Sequence, residues 1–102
     1  MFHALANLSE LYDGYIRPFR VQGYSLLLIE NEGQRYVIED RCPHMDAKLS
    51  TGKVVGEDII CRAHGIAFCM RTGKAQGPLA DTLDCLRRFP VSYDGNKIGV
   101  EI

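Results

Sequence analysis

The sequence predicts an all-β, antiparallel domain, and three observations carry that expectation. Turn residues recur every eight to twelve positions, at Asp13-Gly14, Gly23, Glu32-Gly33, Gly52, Gly56, Thr72-Gly73, Gly77-Pro78 and Asp94-Gly95-Asn96. Between them lie short segments rich in β-branched and aromatic residues. Helical periodicity is thin throughout. The chain has 102 residues, one domain of ordinary size, with 46% hydrophobic and 25% charged side chains, average for a soluble globular protein.

Taken in order, LANLSELY has some three-to-four spacing, but Asp13-Gly14 cuts it short. YIRPFRV, YSLLLIE and RYVIE then read as strands, with NEGQ as the hairpin connection between the last two. GKVV and EDIIC form a short strand pair, and IAFCM reads as another strand. LADTLDCLRR (79–88) places Leu79, Leu83 and Leu86 at roughly helical spacing, enough for a single turn. RRFPVSY and KIGVEI close the chain, with DGNK as their hairpin connection. The expected architecture is an antiparallel β-sandwich or barrel-like base carrying a small site-bearing subdomain, about residues 40–75, with the base formed by about 1–39 and 76–102.

Charge excludes several functions. The net charge is −1, and basic and acidic residues number three and four in 1–38, six and five in 39–74, and three and four in 75–102. No block has the single-sign surplus of a nucleic-acid or membrane-surface binder. The N-terminus shows no signal-peptide pattern, and the longest aliphatic run, Leu26 to Ile29, is far short of a membrane span. A cytoplasmic location is expected, where cysteines stay reduced and a Cys/His pattern points to metal or redox chemistry.

That pattern is CPHMDAKLSTGKVVGEDIICRAH, residues 42–64. Cys42-Pro43-His44 opens it and Cys61-Arg62-Ala63-His64 closes it, so each end supplies one thiol and one imidazole. A tetrahedral zinc site accepts two thiolates and two imidazoles, but its usual pattern groups two Cys at one knuckle and two His at a helix turn. A two-iron cluster accounts for the alternation if the Cys bind one iron and the His the other, because each loop then reaches across both metals.

CPHMDAKLSTGKVVGEDIICRAHGIAF resembles the two-loop signature of Rieske proteins, C-x-H followed by C-x-x-H-G. CMRTGKAQGPL is similar to the segment whose Gly-Pro portion forms a covering loop in that family, and LRRFPVSYDGNKIGVEI resembles its closing hairpin. The resemblance implies a Rieske fold and one [2Fe–2S] cluster, with Cys42 and Cys61 on the inner iron and His44 and His64 on the outer one. It further implies that Gly65 permits a close approach of the second loop, and that Gly77 and Pro78 cover the cluster.

High-potential family members join the two loops by a disulfide. The corresponding positions here are Ala47 and Ala63, and Ile66 and Phe68 stand in a segment where those members place hydroxyls. A potential near the low end of the roughly −150 to +300 mV Rieske range is therefore expected. The chain resembles the stand-alone ferredoxins of bacterial aromatic-ring-hydroxylating dioxygenase systems of the biphenyl, toluene and carbazole types. That implies no catalysis of its own, transient docking of a flavin-containing reductase and a terminal oxygenase at the His44/His64 edge, and a monomer. The alternatives are the small subunit of an assimilatory nitrite reductase and a zinc-stabilised interaction module.

Other residues read more plainly. Cys69 and Cys85 are expected to be small buried hydrophobes. His3 is incidental, and Phe68 and Phe89 belong to the core. Arg41, Lys48, Arg62 and Arg71 flank the cluster loops, with Asp46 beside His44, and read either as a solvated mixed surface or as a docking rim around the histidine edge.

Overall fold

The run Leu26-Leu27-Leu28-Ile29 dictates the layering, because alternate residues of a strand face opposite sides and all four are at most 1% exposed. A strand so composed has to be covered on both faces. The computed structural model of the chain describes residues 1–43, 47–63, 65–77 and 84–102. It arranges ten strands in three antiparallel sheets, with the strand containing this run in the middle layer.

The central sheet holds β2 (Tyr15–Val21), β3 (Tyr24–Asn31), β4 (Gln34–Glu39) and β8 (Arg88–Phe89), in the order β2-β3-β4-β8. A second sheet is ordered β1-β10-β9, from β1 (Phe2–Asn7), β9 (Val91–Asp94) and β10 (Lys97–Glu101). The third is the meander β5 (Lys53–Val55), β6 (Asp58–Ile60) and β7 (Ala67–Cys69). Leu26, Leu28 and Val37 pack with Ile98 and Val100 of β10, filling the core between the first two sheets. Leu27, Ile29, Tyr36 and Ile38 point the other way and pack with Ile59 and Phe68 of the third sheet and with Met70 just beyond it. Each fully buried side chain of this kind contributes roughly 1.5–3 kcal/mol of transfer free energy.

Most strand segments fall where the sequence predicts them, and NEGQ is the β3–β4 turn, with Glu32 at φ 53 and Gly33 at φ 79. Two expectations are corrected, and a third lies partly outside the described residues. LANLSELY divides between the end of β1 and a 3-10 turn over Leu8–Glu10, capped by Glu10 Oε1 accepting from the Asn7 N–H at 2.8 Å. RRFPVSY is not one strand. Pro90 has no N–H to continue a ladder, so Arg88–Phe89 pairs with Val37–Ile38 of β4 while Val91–Asp94 crosses to β10 in the other sheet. Of LADTLDCLRR, residues 79–83 lie outside the described part, and Asp84–Arg87 are irregular. Among the described residues, no helix is long and apolar enough to cross a membrane.

Candidate metal centre

Cys42 is the third residue after β4 and Cys61 follows β6 directly, so both thiols are delivered from strand ends anchored in the core. Each is 0% exposed, and both belong to the buried cluster that contains Phe68, Leu49 and Ile59. None of the four cysteines, all of them described, is in a disulfide. His44 and His64 lie outside the described residues, as do Asp46 and Pro78.

The two loops are built alike. The Cys42 N–H donates to the Ala47 carbonyl at 2.7 Å, and the Cys61 N–H donates to the Ile66 carbonyl at 2.9 Å. Each cysteine thus opens a loop closed by a carbonyl five residues on, with one histidine inside it. The second loop is tightened further by the Gly65 N–H donating to the Cys61 carbonyl at 2.7 Å. Gly65 stands at φ 68, which favours glycine, whereas a methyl placed there meets no atom of the other described residues within 4 Å, its chain neighbours aside. Among the described residues, the backbone angle rather than a close contact is what this position demands of its residue.

Three further contacts hold the loops in place, and none was foreseen from the sequence. Asp40 is only 5% exposed, and its Oδ1 accepts the Ser50 N–H at 2.8 Å while its own N–H donates to the Ser25 carbonyl at 2.8 Å. That ties the end of β4 to β3 and to the 3-10 turn Leu49–Thr51. Gly52 ends the same turn, and a methyl there would run into the Ile60 carbonyl oxygen and stand 3.1 Å from that of Leu49. The end of that turn therefore lies directly against the residue before Cys61. Finally, the Gln76 N–H donates to the Ala67 carbonyl at 2.8 Å and the Leu86 N–H to the Gly73 carbonyl at 2.6 Å, folding the 69–77 segment back along β7.

Cys69 is buried as expected, yet it is not an inert hydrophobe. Burial raises its thiol pKa, but the Thr72 hydroxyl, the Thr72 and Arg71 amides and the Arg71 charge together outweigh that and leave it lowered. Cys85 departs from expectation outright, being exposed. Ile66 packs partly buried against the cysteine-bearing cluster, and Phe68 is 0% exposed, so this segment is apolar.

Two buried thiols on twin closed loops in a dry, apolar surrounding fit the sulfur half of a [2Fe–2S] site. Comparison with known proteins agrees. The ferredoxin component of the naphthalene 1,2-dioxygenase system of Pseudomonas putida is 30% identical over 95 residues, covering 93% of this chain and 89% of that protein. The ferredoxin of carbazole 1,9a-dioxygenase from Nocardioides aromaticivorans IC177 superposes with a TM-score of 0.84 at 28% identity, over 97% of this chain and 95% of that one. A chain from a complex of reduced oxygenase and oxidised ferredoxin in carbazole 1,9a-dioxygenase gives 0.84 at 30% identity, over 97% and 100%. The Rieske [2Fe-2S] domain model matches residues 1–90, so the chain belongs to that family and takes one Rieske-type [2Fe–2S] cluster.

Proposed function

We propose that this chain is an electron-transfer ferredoxin of an aromatic-ring-hydroxylating dioxygenase system. It accepts one electron from a flavin-containing, NAD(P)H-dependent reductase and passes it to a terminal oxygenase. The observation that carries the reading is the pair of buried thiols, Cys42 and Cys61, each on a loop closed by the same backbone hydrogen bond. The ferredoxin components at about 30% identity over nearly the whole chain support it. In this role the chain carries charge and catalyses nothing itself, and it works as a monomer in the cytoplasm.

Cys42 and Cys61 hold one iron, and His44 and His64, within the same two loops, hold the other. When bound, the cluster supplies a one-electron couple. The chain's own part is to orient the four donors, exclude water from the sulfur side and leave the imidazole edge for partners. The apolar Ile66 and Phe68 offer no hydroxyl to the sulfides, which favours a potential near the low end of the Rieske range. The reading divides the chain into a base, about 1–39 and 76–102, and a cluster-bearing subdomain, about 40–75. The placement of the meander β5–β7 within 53–69 supports that division.

The deciding experiment is low-temperature EPR of anaerobically purified protein reduced with dithionite. The expected result is a rhombic signal with the low average g of a His/Cys-ligated two-iron cluster. A silent spectrum from fully metallated, colourless protein would overturn the reading in favour of a zinc site.

A further inference from the structure

β8 covers β4 only at Val37 and Ile38, so no described strand flanks Gln34–Tyr36 on that side. The gap is a cleft of about 270 Å³, open to solvent, between β4, the turn after β7 and the chain leaving β8. Tyr36, Met70 and Phe89 are apolar parts of its lining, with Tyr36 and Phe89 on opposite faces of the sheet, and Arg35, Arg71 and Arg88 line it as well.

The arginines are held but not used up. Arg35 Nε donates to Glu30 at 2.7 Å and its Nη1 to the Tyr93 hydroxyl at 3.4 Å. Arg71 Nε reaches Glu57 at 3.3 Å. Arg88 Nη1 donates to the Arg71 carbonyl, and among the described residues no carboxylate pairs with it. A guanidinium has five N–H donors in a planar fork, so terminal donors remain on all three. Glu30, Glu57 and the nearby Glu32 balance the three cations in number, and Arg88 alone of these arginines has no carboxylate partner among the described residues.

We propose that this cleft docks an acidic segment of the protein that exchanges electrons with this chain, a carboxylate engaging Arg88 and Arg71 while a neighbouring apolar side chain rests on Tyr36. A protein segment fits better than a small organic anion because the cleft is shallow and open, and cannot enclose a small ligand. The site is separate from the cysteine-bearing loops. Met70 N–H donates to the Glu57 carbonyl at 2.7 Å, at the opposite end of the β6–β7 pair from Cys61. At about 3.3 Å per residue along β6, that is ~13 Å from Cys61. A standard interface of about 800 Å² per partner spans such a distance, so one partner can occupy both places. Only the partner's identity rests on the electron-carrier reading.

The test is a ¹⁵N NMR titration of the oxidised, cluster-loaded protein with a blocked hexapeptide of alternating Glu and Leu, run beside its Lys-Leu counterpart and sodium benzoate. The acidic peptide is expected to shift Arg35, Tyr36, Arg71, Arg88 and Phe89 resonances, with binding weakened about tenfold by Arg88→Gln. Arg71→Gln, at an exposed side chain, should weaken it in the same direction, and an unchanged visible spectrum confirms that each variant is folded and loaded. Shifts elsewhere, equal binding of the basic peptide, insensitivity to both variants, or benzoate binding as well as the peptide would overturn the proposal. The titration involves no electron transfer, so its failure removes the docking cleft alone, whereas a zinc-loaded protein would remove the functional reading.

Discussion

Single residues decide how the two loops meet. Gly52 is the clearest case, since the atom that a methyl would strike is a backbone carbonyl and cannot swing aside. Gly52→Ala is expected to destabilise the loaded protein by about 1–3 kcal/mol, read as a lower melting temperature and faster loss of cluster absorbance on warming. An unchanged melting point would show that the turn Leu49–Thr51 can shift at no cost. Cys69 gives a pH signature. Its folded pKa is lowered by Thr72 and the turn amides, so the unfolded chain binds more protons between the folded value and the ordinary thiol value. Stability from this group is therefore absent below the folded pKa, grows as pH rises and is complete above the unfolded one. Thr72→Val removes the side-chain donor and should shrink the gain in melting temperature between about pH 7 and 9, compared with the parent protein. Equal gains in both proteins would mean that the hydroxyl plays no part.

At the level of elements, the β3–β4 hairpin stores strain that the sequence partly advertises. Glu32 sits at φ 53, a left-handed angle that a branched or long side chain tolerates poorly, while its N–H donates to Asp13 Oδ1 at 2.8 Å. Glu32→Asn keeps that backbone bond and suits the angle, so it should stabilise the protein by on the order of 1 kcal/mol, measured by denaturant unfolding. A loss of stability would locate the value of Glu32 in its side chain. The strands themselves were largely legible, because hydrophobic runs and turn residues are local signals. The division of RRFPVSY at Pro90 was not, since which sheet each half joins depends on partners far away in sequence. The Cys/His spacing exposed the thiols of the candidate site. Asp40, Gly52 and the Ala47 and Ile66 carbonyls stayed hidden, because their roles are contacts between segments rather than patterns within one.

The whole molecule has two cores divided by the central sheet. One, around Leu26, Leu28, Ile98 and Val100, holds no cysteine, and the other holds both Cys42 and Cys61. Metal binding should therefore stabilise the second far more than the first. Hydrogen exchange followed by mass spectrometry, before and after chelation of the reduced iron, is expected to show protection lost across 47–63 and 65–77 while β1, β2, β3 and β10 keep most of theirs. Equal loss everywhere would make the chain one cooperative unit. The doubled loop closure bears on speed as well as strength. With the Cys42 and Cys61 amides already engaged and their side chains fully sheltered from water, few dipoles are left to swing when charge arrives or departs. On the thiol side of the site the described residues then add little to the reorganisation energy, which favours electron exchange across a slight driving force during a brief encounter.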